Sequence, residues 1–472
     1  MQPNPFHTRV QTASKTLQLF FGIQLFCAVM MISFGLGGPA VFGVIIAIPP
    51  LLAWFSGRRR GYIFIIYFIC ITFVVGQRTF HIGQYVRIVP SELLMWILAL
   101  TALFIHPQYK TGKLPIPLAA FFLFFFSALG VYTASTIENL DMNLAFFYAS
   151  MMWMAVPAFL VVSRFINRVE HMQNIATLLA FECLFLSFLA MAEYFDLGFV
   201  KLFSGYIKGE TIMGQEDFKR ISASFWGGPM MSAFIAMCFP FIFVQWQSTK
   251  SIVLKLLFAI SMVLSLLTIY FSGHRGLWIP FLIGISLFFI LKGIRGAVVL
   301  GILLLVAIPL IPESAIRRFE AVQGENQDTS AKKRQEMAEY TWRMLQEKPV
   351  LGHGWGASGL PHSDLLQMGA DAGGFTLLSF LMIFLGVIFR LFTLKVRKIK
   401  LFKEYRDALL SSLAMGIAIL SCQAWFNLPE QYAPFWFIVA LAYNYPQLVM
   451  TETKLMNSPT QIVLLPKENS HA

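Results

Sequence analysis

The stretch LGHGWGASGLPHSDLLQMGADAGG, residues 351–374, sets His353 and His362 among glycines just before a long apolar run that begins at Phe375. Histidine exchanges a proton near neutral pH and can serve as a general base. The glycines at 352, 354, 356 and 359 permit left-handed backbone and close approach of the chain, which suits a loop folded over a ligand. The plain alternatives are a flexible turn leading back into the apolar run and a histidine that only hydrogen-bonds a carbonyl. Two arginines sit in comparably unusual surroundings, Arg275 in SGHRGLW and Arg220 in KRISASFWGGP. A guanidinium presents a fork of donors that matches phosphate or carboxylate oxygens. Arg275 could equally snorkel at the end of a membrane helix. Arg220, beside Lys219, Glu216 and Asp217, could be a solvated charge.

The elements that must position these residues are membrane helices. The chain has 472 residues, 57% hydrophobic and only 13% charged, against roughly 25% charged in ordinary soluble domains. Apolar runs long enough for a bilayer, about 20 residues each, start near Leu17, Gly38, Gly61, Glu92, Leu114, Leu144, Ile175, Pro229, Val253, Leu277, Gly296, Phe375, Leu409 and Ala433. The expectation is a single all-α polytopic membrane domain, residues 1–472, with about 12–14 transmembrane helices. The first run reads as an uncleaved helix, since no small-residue cleavage site clearly follows it. Lys and Arg alternate between rich and poor connections as the positive-inside rule requires. With the N-terminus inside, the cytoplasmic set holds Arg9, Lys15, Arg58 to Arg60, Lys110, Lys113, Arg164, Arg168, Lys250, Lys255, Lys292, Arg295, the seven basic residues from Arg390 to Arg406, Lys454 and Lys467. The net charge of +12 is therefore mostly a topology signal. Its partner is anionic membrane lipid, and no basic stripe with interleaved aromatics suggests nucleic acid.

This topology puts two long segments outside, about 196–228 and 311–374, and loops of that length usually carry function. The second holds its own helix, SAKKRQEMAEYTWRMLQEKP, with Met337, Tyr340, Met344 and Leu345 expected on one face and Pro349 ending it. Such a helix lies on the membrane surface or caps the bundle. Cys27, Cys70, Cys183, Cys238 and Cys422 fall in apolar runs without metal-ligand or redox spacing and read as core residues. No carboxylates and histidines cluster at metal-ligand spacing, so neither metal nor other cofactor is expected. Glu182, inside FECLFLSFLAM, must be protonated or paired there; it alone suits a transporter, which would also show intramembrane charge and two similar halves.

The runs PVLGHGWG and HSDLLQ, followed by glycines at the next helix start, resemble the bacterial O-antigen ligase and polymerase superfamily, including exopolysaccharide polymerases. Its ligase pattern of His, then Asn, Ser or Gln, nine residues, Gly, two residues, and Gly, Thr or Tyr is met by His362, Ser363, Gly373 and Thr376. SGHRGLW is similar to its Ser-Arg-Gly signature, with His274 inserted, and KRISASFWGGP to its arginine-containing segment, with Ala-Ser-Phe and Pro-Met where Gly-Thr-Phe and Pro-Asn are usual. Arg343 and Gly354 match an Arg, ten residues, Gly spacing found in some of the polymerases. The resemblance implies a glycosyltransferase-C-like fold in the bacterial inner membrane, both termini cytoplasmic, with a periplasmic site. It implies transfer of a glycan from undecaprenyl diphosphate to an acceptor hydroxyl on another lipid-linked glycan or on lipid A core. A lipid-linked oligosaccharide glycosyltransferase of this kind would use His362 as base and Arg275 and Arg220 as diphosphate ligands, working without a metal. Secondary candidates are His353 and His274, which can orient neighbours, Ser363, Arg343, and Asp364, which can orient an imidazole or cap a helix. Polymerisation of O-antigen or exopolysaccharide repeat units is the leading expectation, ligation to lipid A core the alternative, and protein O-glycosylation or transport less favoured.

Overall fold

Inside a bilayer no water satisfies the backbone, so an apolar run must close its hydrogen bonds within itself, and a helix does so locally. The computed structural model describes residues 90–104, 116–197, 228–307, 329–359, 361–396, 399–422 and 432–457, with short pieces at 66, 69–70, 80–82, 86–88, 210–211 and 219–221. Its helices are α1 (Pro90–Phe104), α2 (Leu118–Ser135), α3 (Met142–Trp153), α4 (Ala155–Phe165), α5 (Val169–Tyr194), α6 (Gly228–Ser248) and α7 (Ile252–Phe271). There follow α8 (Arg275–Leu291), α9 (Ile294–Ala307), α10 (Thr329–Glu347), α11 (Asp364–Ala372), α12 (Gly374–Thr393), α13 (Lys400–Cys422) and α14 (Tyr432–Asn457). The strands among the described residues form two short antiparallel pairs, β1 (Phe80–Ile82) with β2 (Val86–Ile88), and β3 (Glu210–Thr211) with β4 (Lys219–Arg220).

Among the described residues seven helical runs are long and apolar enough to cross a membrane: α2, α3 joined to α4, α5, α6, α7, α12 and α13. Each run expected from Glu92 onward falls on a helix. Those starting near Leu17 and Gly38, and most of the one near Gly61, lie outside the described residues. The protein is an all-α polytopic membrane protein.

Interhelical contacts show how the central helices run. Ser411 Oγ donates to the Gly284 carbonyl at 2.7 Å and Ser412 Oγ to that of Met237 at 2.6 Å, which ties α13 to the middles of α8 and α6. Lys292, just after α8, lies beside Glu404 and Asp407 near the start of α13, so α8 and α13 are antiparallel. Arg406 donates to the Leu394 carbonyl at 3.4 Å, which sets the C-terminus of α12 at that same end. Gln245 near the end of α6 reaches the Gln173 carbonyl near the start of α5 at 3.3 Å. At the opposite end the Tyr194 and Phe271 rings meet with centroids 4.1 Å apart, which joins the C-termini of α5 and α7. Arg275, the segment from α5 to α6 that contains β4, and the start of α12 therefore share one end of the bundle. The basic residues Arg164, Arg168, Lys250, Lys255, Lys292, Arg295, Arg390, Lys400, Lys403, Arg406 and Lys454 gather at the other, while the short connections 136–141 and 272–274 carry none. Membrane helix pairs are held by such hydrogen bonds, each contributing about 0.6–2 kcal/mol, and by close packing of small residues. At Gly284 a Cβ would collide with the Met415 side chain.

Two expectations are modified. On α10 the protected face carries Thr341 and Met344, both buried, with Met337 and Leu345, whereas Tyr340 is exposed. That face packs on α11, where Leu345 touches Gly369, so α10 caps the bundle. Cys70, Cys183 and Cys238 are buried as core residues, but Cys422 is exposed at the end of α13, and Cys27 lies outside the described residues. Glu182 is buried among the thiols of Cys70 and Cys238, and its carboxyl oxygens have no hydrogen-bond partner among the described residues.

Candidate active site

The glycine-rich segment is a tightly bonded strap, not a flexible turn. A helix leaves its last carbonyls unsatisfied, and the strap supplies the missing donors for α11: His353 N donates to the Ala370 carbonyl at 2.9 Å and Gly354 N to that of Asp371 at 2.7 Å. Thr376 Oγ1 completes the set by donating to the Ala372 carbonyl at 2.7 Å. Gly374 N reaches back to the Pro349 carbonyl at 2.8 Å. Gly354 and Gly373 are needed for space as well as conformation. Gly354 has φ +92° and would drive a Cβ to 2.6 Å from Ala134 Cα, and Gly373 has φ +86° and would drive one into the Val350 carbonyl. Trp355 anchors the strap to α2 through its indole N–H, 2.9 Å from the Ser127 carbonyl. The Gly373 and Thr376 members of the sequence pattern thus have mechanical duties at the α11–α12 joint.

His362 precedes α11 with φ +54°, a left-handed conformation that costs a non-glycine residue about 1–3 kcal/mol and persists only where its surroundings impose it. Ser363 is the N-cap of α11, its hydroxyl accepting from Leu366 N at 3.3 Å. Asp364 is the first helical residue and is buried, so the capping duty considered for it belongs to its neighbour. His362 is exposed to solvent, with part of its ring covered. Burial, with the Arg334 guanidinium of α10 nearby, holds its pKa below the ordinary histidine value, so it is neutral at pH 7 and able to accept a proton.

His353 has a different duty. One ring nitrogen lies 3.0 Å from the Met344 carbonyl near the end of α10, and Glu347 is 3.8 Å away, so it ties α10 to the strap. Arg343 is exposed on α10, and its spaced partner Gly354 serves the close approach to α2. His274 is half-buried at the N-cap position of α8. Arg275 opens α8 and Arg220 ends β4, at the His362 end of the bundle; the side chains of both lie outside the described residues.

Sequence reasoning missed five contributors. Tyr148 and Trp355, with ring centroids 6.0 Å apart, join Met151, Met152, Asp364, Gln367 and Met368 in lining a shallow cleft, part of it open to solvent. Beneath it Asp371 is fully buried, and burial pushes its pKa up to about 6 despite the hydrogen bonds it accepts. Gln367 and Asp371 stand one helical turn apart on the face of α11 that is buried, a polar i, i+4 pair visible in DLLQMGADA. Arg334 carries no signal of its own among the charges of α10. Among the described residues no three His, Cys, Asp or Glu side chains converge as a metal site.

No curated protein matches the chain. Residues 260–381 match the family model described as O-antigen ligase, a segment that takes in Arg275, the strap, His362 and α11. Over that segment the chain is similar to the O-antigen ligase family, in line with the resemblance carried by its His362 and Arg275 motifs.

Proposed function

We propose that the protein transfers a glycan from undecaprenyl diphosphate to an acceptor hydroxyl at the periplasmic face of the bacterial inner membrane, as a polymerase of O-antigen or exopolysaccharide repeat units. The observation that carries this reading is His362, neutral and partly solvent-open, at the end of the bundle that also bears Arg275 and Arg220 and lies opposite the basic connections. By the positive-inside rule the basic end is cytoplasmic. In the reaction the acceptor oxygen attacks C1 of the donor sugar and gives its proton to His362. The C1–O bond to the diphosphate breaks as the new one forms, and the electron pair leaves on the diphosphate, whose charge Arg275 and Arg220 neutralise. A positioned base contributes about 10² to 10⁴ in rate. The leaving group needs no acid and, with arginines in place, no metal.

Ligation to lipid A core is the second reading, favoured by the description of the matching family and by the His-Ser pair at 362 and 363. Transport would place polar side chains at the midplane of the bundle. Here the buried carboxylates lie at the two ends, Glu193, Asp364 and Asp371 at one and Glu404 and Asp407 at the other, with Glu182 the exception among the described residues. Deleting the gene and resolving the surface glycan on a gel tests the proposal. Single repeats capped on lipid A core indicate a lost polymerase, long chains left on undecaprenyl diphosphate a lost ligase, and an unchanged glycan refutes both.

A further inference from the structure

His362 stands between two anchored pieces of backbone. On its C-terminal side Ser363 caps α11. On its N-terminal side one buried carboxylate grips the strap: Asp371 Oδ2 accepts from Gly356 N at 3.0 Å and Oδ1 from Ser358 N at 2.8 Å. Gln367 Nε2 extends the grip, donating to the Gly359 carbonyl at 3.2 Å and to Asp371 Oδ2 at 3.4 Å. Asp371 lies on the helix that His362 precedes, so the chain from Gly356 through His362 and along α11 is closed into a ring by these contacts. A left-handed non-glycine residue needs such enforcement, and a buried carboxylate needs donors on both oxygens. Each satisfies the other's requirement.

We propose that Asp371, with Gln367, is a positioning residue for glycan transfer, holding the strap so that His362 is presented to the acceptor hydroxyl. The inference rests on His362 being the base. Asparagine at 371 is nearly isosteric but offers one acceptor oxygen and turns an NH₂ toward either Gly356 N–H or Ser358 N–H, a donor facing a donor. The full-length protein in detergent is compared with its Asp371→Asn and Gln367→Leu variants by hydrogen exchange of the 356–359 amides and by steady-state transfer from a lipid-linked glycan donor. A misplacement near 1 Å costs about 10² in rate, so kcat should fall about 10- to 100-fold in Asp371→Asn. Exchange should accelerate while the donor KM stays within about twofold, as expected of an interaction made only in the transition state. Gln367→Leu should show the same pattern more weakly, and it decides alone if Asp371→Asn does not fold. Fast-exchanging amides with kcat near wild type, or unchanged exchange in both variants, would overturn the proposal. His362→Ala run in parallel separates the two claims. If that variant retains turnover the base assignment falls and the positioning role with it, whereas if it alone loses turnover the base stands and the positioning role is overturned.

Discussion

A histidine serves as a base only while neutral, and two features keep His362 in that state: partial burial first, the Arg334 charge second. Both lower its pKa, so the acid limb of the pH–rate profile should lie below the ordinary histidine value of about 6.5. Arg334→Gln removes one of the two causes and leaves burial. Its limb should move to higher pH, so that the variant loses more activity than wild type when pH drops from 7.5 to 6, as read from kcat against pH. An unmoved limb would mean that the Arg334 charge is screened from the imidazole. Of the two histidines in the opening stretch only this one makes no structural hydrogen bond among the described residues. His353, set in the more conspicuous Gly-His-Gly context, is occupied by the Met344 carbonyl.

The elements explain which parts of the site were legible. Helices α1 to α9 and α12 to α14 follow from unbroken apolar runs, because a bilayer leaves a polypeptide few other ways to satisfy its backbone. The α10 helix follows from periodicity and its stop from Pro349, although Tyr340 was misplaced because the packed stripe follows Thr341 and Met344. The start of α11 was legible only as a possible cap at Asp364, and its packing was not: nine residues with buried Asp364, Gln367 and Asp371 look like a polar loop, and only the strap that pairs with them makes their burial tolerable. The residues met by the family pattern were readable as a pattern, but the reason for Gly373 is steric and lies in the distant Val350 carbonyl. Gly373→Ala should therefore strain the α11–α12 joint, lower the thermal midpoint of the purified protein by several degrees and reduce transfer, while Gly386→Ala, within α12 and with open space around it, should do neither. Equal midpoints for the two variants would show that the joint relaxes freely.

At the scale of the whole molecule the account needs one end of the bundle to face the periplasm. Exposed positions at the two ends provide the check, Gln346 on α10 and Lys400 at the start of α13. A cysteine at 346 should react with an impermeant maleimide in intact spheroplasts, and one at 400 only after lysis; the reverse pattern would invert the membrane orientation. The central claim is that this end joins a diphosphate-linked glycan to a hydroxyl through His362, and base and clamp must then fail differently. The most direct measurement reconstitutes wild type, His362→Ala and Arg275→Lys with a lipid-linked donor and records donor binding and product together. Loss of the base should leave donor affinity intact and lower turnover by about 10² or more, whereas Arg275→Lys, keeping the charge but losing the fork, should weaken both. A His362→Ala protein that inserts, binds donor and turns over near the wild-type rate would contradict the account.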